Sequence, residues 1–205
     1  GKGKDWLILN SITGNSIELD GEYIHGDASY VQLLRRTEHW NSYFFFRNIS
    51  PQHRADVGFV VKNNRRWGTL YHEYINIINK PALQSFGFGT KIDVVYTFEN
   101  LYKTMSVDLF ASFKTYGQTE FEYTLDYDAT KTFLGIRFNH LPTHEFSVEG
   151  SPSESINFDL NLTLGKDLSM NETIPEVGKL KSYFFKINYQ INDNISFNPS
   201  FRDLN

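Results

Sequence analysis

The chain contains no cysteine, and it has only two methionines and six prolines among its 205 residues. Without cysteine it can form no disulfide, no thiolate zinc site and no cysteine nucleophile. No run of the sequence reaches the roughly 18 apolar residues that a membrane-spanning helix requires. The net charge of −4 argues against nucleic acid as a partner, because phosphate binding needs a basic surface.

Aromatic residues are abundant, with 18 phenylalanines and 12 tyrosines, and many of them belong to alternating segments. In SINFDLNLTLG, residues 155–165, every second side chain is apolar and the side chains between are polar. A period of two is that of a β-strand with one apolar and one polar face. The apolar positions are Ile156, Phe158, Leu160, Leu162 and Leu164.

The same alternation recurs along the chain, and no stretch shows the 3.6-residue period of a helix. We therefore predict an all-β protein with a single β-barrel region over residues 1–205. Regular alternation is found in KIDVVYTFE, TMSVDLFASFK, EFEYTLDYD, FFKINYQIN and ISFNPSF. Less regular strands are predicted at Asp5–Ile12, Ser16–His25, Ser29–Arg36, Trp40–Arg47, Ala55–Lys62, Trp67–Ile75, Thr132–Asn139 and His144–Glu149.

The length of the alternating segments favours an antiparallel up-and-down transmembrane β-barrel. Several segments alternate for about ten residues, whereas strands of globular proteins average roughly five to six. Ten residues at about 3.3 Å each, tilted near 45°, rise about 23 Å, which is close to the apolar band of a membrane barrel. A soluble β-sandwich with a dry core alternates in the same way and is the alternative fold.

The predicted connections differ in length in a way that suits the two rims of an outer-membrane barrel. Tight connections are expected at Asn63–Arg66, Asn100–Lys103 and Ala129–Lys131, and long ones at Asn76–Gly89 and Gly165–Lys179. Short turns at one rim and longer loops at the other are typical of this class of protein.

Acidic side chains on the polar sides of the strands would line the lumen of such a barrel, which would be polar and net acidic. The apolar sides of the regular strands carry no charge. The predicted lumen-lining residues are Asp93, Glu99, Asp108, Glu120, Glu122, Asp126, Asp128 and Asp159.

The middle of the chain resembles a Gram-negative family of unknown function. The resemblance rests on NISPQHRADVGFVVKNN, on WGTLYHEYIN with INKPALQSFGFG, and on FASFKTYGQTEFEYTLDYDATKTFLGIRF. It covers residues 40–140, and His53 stands where the family has phenylalanine. Members of this family join an amino-terminal, family-9-like carbohydrate-binding domain to a carboxy-terminal outer-membrane β-barrel.

The resemblance implies a location in the outer membrane of a Gram-negative bacterium. The chain would be part of the barrel and incomplete at both ends. Its partners would be outer-membrane lipid, other outer-membrane or periplasmic proteins, and a glycan. The resemblance supplies no catalytic residue.

Catalysis finds little support in the sequence. Glu120 and Glu122 share one face of a predicted strand, but such positions are about 6.6–7 Å apart at the backbone, against about 5–5.5 Å for the carboxyls of a retaining glycosidase. His140 and His144 flank Pro142, which excludes the helix of an HExxH zinc site. We predict no catalytic residue, metal or cofactor, and a glycoside hydrolase using Glu120 or Glu122 is the weakest alternative.

Tryptophans bear on the second hypothesis, a soluble β-sandwich that binds carbohydrate. Trp6, Trp40 and Trp67 could stack on sugar rings, but interfacial girdles and core packing are the commoner uses of such residues. A sugar platform would need several tryptophans on one polar face. The sequence therefore favours an outer-membrane β-barrel that serves as a channel, transport or docking component.

Overall fold

The computed structural model describes residues 6–19, 22–53, 63–80, 82–99, 102–115, 117–169, 174–192 and 195–204. These residues form β-strands, turns and bends but no helix, and all the strands belong to one antiparallel sheet. The predicted all-β, antiparallel up-and-down fold is confirmed. The predicted strand Ala55–Lys62 lies outside the described residues, and in those ranges no helix has the length and hydropathy to cross a bilayer.

The strands follow one another across the sheet in the order of the chain. Each strand is hydrogen-bonded to the one before it and the one after it, except that the last two both pair with β10. Among the described residues the first and last strands do not pair, so the sheet is open. The strands are β1 (Trp6–Leu19), β2 (Glu22–Arg36), β3 (Trp40–Ile49), β4 (Arg65–Lys80), β5 (Leu83–Tyr96), β6 (Tyr102–Lys114), β7 (Thr119–Phe133), β8 (Ile136–Ser153), β9 (Ile156–Ser169), β10 (Glu176–Asn192), β11 (Ile195–Phe197) and β12 (Ser200–Leu204).

The first ten strands contain 10 to 18 residues each, which is longer than the sequence predicted. The three short strands expected over residues 5–36 are two long ones, β1 and β2. Gly14 and Asn15 fell between two predicted strands, but they pair with Asp27 and Gly26 in the middle of the β1–β2 ladder. In this hairpin, residues that commonly form turns are paired with each other across the ladder, and both strands extend through them.

Three predicted connections are wrong because strands continue through them. The expected long loop Asn76–Gly89 is strand up to Lys80 and again from Leu83, and strand also replaces most of Gly165–Lys179. The expected tight turn Ala129–Lys131 is part of β7, where the ladder with β6 shifts register, because Met105 pairs with Thr130 and Ser106 with Asp128. A register shift of this kind absorbs one extra residue and bends the strand without ending it.

The turn between β7 and β8 consists of Leu134 and Gly135. Both have positive φ, 50° and 79° respectively, which is the signature of a two-residue type I′ hairpin turn. Glycine accepts this conformation without cost, whereas leucine does not. The side chain of Leu134 is 73% exposed, so no packing compensates for its backbone conformation.

The two rims of the sheet differ. At one rim the connections, 37–39, 81–82, 115–118, 154–155 and 193–194, have two to four residues. At the other rim consecutive strands are separated by residues 20–21, 50–64, 97–101, 134–135 and 170–175, of which 20–21, 54–62, 100–101 and 170–173 lie outside the described part of the chain. Two of these intervals are as short as those at the first rim, so the predicted alternation of short and longer connections holds only in part, and at positions other than those predicted.

The register keeps the two faces of the sheet continuous from strand to strand. On one face, here called the apolar face, the ladders join Phe44, Leu70, Ile92, Val107 and Tyr127 in one row across five strands. The other face, here called the polar face, carries the residues that alternate with these. One of its rows joins Lys114, Glu120, Glu149, Asp159 and Lys186.

The described sheet has almost no hydrophobic core. Only Ile49, Leu141 and Leu168 are buried hydrophobic residues, and no large side chain is fully buried. In a β-sandwich the inner-face side chains of two sheets interdigitate and are buried. Here Leu160 is 38% exposed, and Phe158 and Leu162 are only half-buried.

Candidate functional site

The polar face gathers seven of the eight acidic residues that were predicted to line a lumen. The register places them on four strands, with four of them along β7. These seven residues are Asp93, Asp108, Glu120, Glu122, Asp126, Asp128 and Asp159.

The eighth residue, Glu99, does not lie on a strand. The strand predicted through KIDVVYTFE ends at Tyr96, and Glu99 lies in the turn that follows. Both of its carboxylate oxygens accept hydrogen bonds from the Asn64 side-chain amide at 2.9 Å, and the Asn64 Oδ1 accepts one from the Phe98 N–H. Glu99 is therefore part of the rim.

On β5 and β6 the exposure of side chains differs between the two faces in an unusual direction, whereas on β7 the acidic side chains of Glu120, Glu122 and Asp126 are exposed and the apolar side chains between them are half-buried. On the apolar face, Phe88 and Leu109 are 52% and 48% exposed. On the polar face, the side chains of Asp93 and Asp108, on the same two strands, are 19% and 20% exposed. Side chains shield one another on the concave side of a curved sheet and spread apart on the convex side. The exposures therefore indicate that the sheet curves at β5 and β6 with its polar face inside.

A cluster of polar contacts joins β4, β5 and β6 on the concave side. Lys91 Nζ lies 2.5 Å from Asp93 Oδ2 and 3.5 Å from Asp108 Oδ2. Asp93 also accepts hydrogen bonds from Trp67 Nε1, at 3.3 Å, and from the Thr69 hydroxyl. Asp93 is thus held by three donors, and Lys91 is engaged by two carboxylates.

Carboxylates on neighbouring strands also face each other without an intervening cation. Asp108 is the direct register partner of Asp126, and Glu149 lies between Glu120 and Asp159. Like charges in directly opposite positions destabilise a sheet. The concave face therefore carries a concentration of negative charge that packing alone does not favour.

Aromatic rings on the polar face form a stack that crosses three strands. Tyr43 and Tyr71 are stacked at 5.1 Å between ring centroids, and Tyr71 and Phe110 at 5.6 Å. Tyr71 and Phe110 belong to β4 and β6, which do not pair with each other. They meet because Gly89 on the intervening β5 has no side chain, and Phe110 lies over it.

The stack forms one wall of an open depression on the polar face. The depression has a volume of about 370 Å³ and extends over β4 to β7. Its lining combines two aromatic rings, four carboxylates, one lysine and two hydroxyls. The lining residues are Tyr71, Glu73, Lys91, Asp108, Phe110, Ser112, Glu120, Glu122 and Thr124.

The histidine and tryptophan candidates do not come together. His140 and His144 contact the hydroxyls of Tyr127 and Tyr123 respectively, and each forms a separate polar pair. Among the described residues no three histidine or acidic side chains are arranged to hold a metal ion.

Of the tryptophans, Trp67 lies on the polar face, whereas Trp40 packs on the other side against His72 and Tyr74. The Trp6 side chain lies outside what the structure describes. The described part of the polar face therefore has one tryptophan and not the several that a sugar platform would need.

Six residues of the depression were not among the predicted lumen-lining residues: Tyr71, Glu73, Lys91, Phe110, Ser112 and Thr124. WGTLYHEYIN has aromatic residues at both odd and even positions, which conceals the polar side of β4. The sequence did contain a signal for this polar side. Thr69, Tyr71 and Glu73 occupy alternate positions, so their side chains lie on the same face of the strand. The stack on Phe110 depends on strand register, which the sequence does not specify.

The comparisons with known proteins add no evidence about function, so the geometry of the structure is the main evidence. No family model matches the chain, and no curated protein or solved structure is significantly similar to it. The resemblance to the family with a carbohydrate-binding domain therefore stays a prediction.

Proposed function

We propose that the chain forms the wall of a β-barrel in the outer membrane of a Gram-negative bacterium, with the apolar face toward lipid and the concave polar face toward a water-filled lumen. The observation that carries the proposal is the inverted exposure of neighbouring side chains on β5 and β6. Leu109 is 48% exposed, whereas the side chain of Asp108 is 20% exposed. In water this arrangement leaves apolar surface exposed and loses the free energy that its burial would give. Contact of the convex side with lipid would make the same arrangement favourable.

The extent of the apolar surface supports the same proposal. Large exposed hydrophobic residues occur on the apolar face of nearly every strand from β2 to β10. They form one continuous surface, and contiguous exposed apolar surfaces of this kind are typical of membrane or protein interaction sites. They include Val31, Phe44, Leu70, Phe88, Leu109, Phe113, Phe146, Leu160 and Tyr183.

The strand lengths and the rims fit the dimensions of a bilayer. A strand of 14 residues such as β9 is about 46 Å long and, tilted near 45°, rises about 33 Å, which exceeds an apolar band of about 25 Å. Outer-membrane barrels have short turns on the periplasmic side and longer loops outside. In this orientation the rim with connections of two to four residues faces the periplasm.

The proposed role is passage or docking of a solute at the concave face. Rings of acidic side chains favour cations in a pore, and the carboxylates of β7 supply such a lining. A glycan as the solute is supported only by the family resemblance. Lipid and neighbouring outer-membrane or periplasmic proteins are the proposed partners.

A pair of adjacent substitutions tests the membrane assignment. Leu160→Arg places a charge on the apolar face, at a cost of about 2–4 kcal/mol if that position lies near the bilayer midplane. Asp159→Arg places the same charge on the polar face one residue away. We expect Leu160→Arg to reduce the fraction of protein that resists urea extraction from vesicles, and Asp159→Arg to leave it unchanged. Equal extraction of the two variants would contradict the proposal, because a water-exposed Leu160 tolerates arginine.

A further inference from the structure

We propose that the depression between β4 and β7 binds a linear aliphatic polyamine. This inference rests on the proposed function only for the route by which the ligand arrives, since the depression opens on the face assigned to the lumen. Its volume of about 370 Å³ lies within the range of about 300–1,000 Å³ typical of small-molecule sites.

The charge of the lining selects a cation. Four carboxylates, those of Glu73, Asp108, Glu120 and Glu122, accompany a single lysine. Lys91 cannot neutralise all of them, because its ammonium group is already held by Asp93 and Asp108. Lys114, outside the lining, pairs only with Glu120, at 3.4 Å. An anionic ligand would meet repulsion from most of the lining.

Two of the carboxylates are available to a ligand. Glu73 accepts a hydrogen bond of 3.4 Å from the Asn41 amide and another from the Tyr71 hydroxyl, and Glu122 accepts one of 3.5 Å from the Thr124 hydroxyl. In the described part of the chain neither carboxylate has an ion pair with a lysine, arginine or histidine. None of these hydrogen bonds brings a positive charge, so an ammonium group would improve the environment of both carboxylates.

The aromatic wall distinguishes an organic cation from a hydrated metal ion. Tyr71 and Phe110 present carbon surface at the edge of the depression. A methylene chain can pack on such a surface while its ammonium ends reach carboxylates. This carbon surface would not stabilise a hydrated divalent ion, and the described carboxylates do not cluster as metal ligands. Alternation of ammonium groups and methylene segments is the chemistry of a polyamine.

Calorimetric titration of the purified full chain in detergent micelles with spermidine tests the proposal. We expect saturable binding at low ionic strength. The double variant Glu73→Gln/Glu122→Gln should weaken it by at least about tenfold, since every 1.4 kcal/mol lost is a factor of ten. The double variant Asp159→Asn/Asp167→Asn is the matched control. It removes the same charge from the same face on β9, outside the depression, and should change the affinity by less than about threefold.

The aromatic wall has its own test. Phe110→Ser should weaken spermidine binding, whereas the result of a parallel titration with Mg²⁺ should be the same for this variant and the unchanged protein, because only the methylene segments contact the ring. Circular dichroism of each variant checks that the β-structure is retained.

Three results would overturn the proposal. They are the absence of saturable spermidine binding, an equal loss of affinity in the two double variants, and saturable binding of a neutral trisaccharide in place of spermidine. Binding is measured without a membrane, so its failure is separate from failure of vesicle insertion, which tests the proposed function.

Discussion

The ring of Phe110 lies over Gly89 and stacks on Tyr71, so that side chains of β4 and β6 meet across the strand between them. Phe110 and Gly89 are direct register partners. An aromatic ring that covers a cross-strand glycine is a recurrent device that fixes register and curvature in β-barrels. This contact therefore connects the local shape of the sheet with the wall of the candidate site.

Substitution of this glycine should be costly. A Cβ on Gly89 would lie 2.5 Å from the Phe110 Cζ and 2.6 Å from the His72 carbonyl oxygen. We expect Gly89→Ala to displace the ring and lower the free energy of unfolding by about 2 kcal/mol, measured by urea denaturation in detergent.

Gly68→Ala is the matched control for this substitution. A Cβ on Gly68 would meet its nearest neighbours at 3.9 Å, so alanine fits there and should not destabilise the protein. Equal destabilisation by the two variants would contradict the assigned role of Gly89.

The β7–β8 turn offers a stabilising substitution. Leu134 has a φ of 50° in a type I′ turn, and asparagine followed by glycine is the preferred sequence of such turns. Leu134→Asn should raise the free energy of unfolding by about 0.5–1 kcal/mol. Leu134→Val should lower it, since a β-branched residue is least tolerant of positive φ. A thermal midpoint that falls with asparagine would show that the turn has another conformation.

The sequence predicted the strand class and the polar face well, because both follow from alternation. Once a residue such as Asp108 or Asp126 is on a strand, its parity alone decides which side of the sheet it occupies. The same reasoning misplaced Glu99, because parity was extended beyond the end of β5 at Tyr96.

Turns and cross-strand contacts were less predictable. Glycine and asparagine mark turns, yet Gly14 and Gly26 lie within the β1–β2 ladder, where pairing overrides local preference. The stack of Tyr71 on Phe110 joins residues 39 positions apart in the sequence. Such a contact depends on the register of two ladders, and one sequence does not fix either register.

Charge selectivity tests the role of the concave face. If the chain lines a passage, reconstituted channels should prefer cations, because carboxylates dominate the lining of the depression. Glu122→Lys should shift the reversal potential in a salt gradient toward anions. Glu38→Lys makes the same change of charge in the exposed turn after β2 and should have little effect. A shift of equal size in both variants would indicate a general surface effect rather than a lumen.

The chain has no cysteine, so single cysteines along β9 can report the surroundings of each face directly. In lipid vesicles, cysteines at Asn157, Asp159 and Asn161 should react with a water-soluble maleimide, whereas those at Phe158, Leu160 and Leu162 should be protected. This period of two is the result that a lipid-facing apolar surface predicts. Reaction at all six positions would contradict the account, since it would show water on both faces of the sheet.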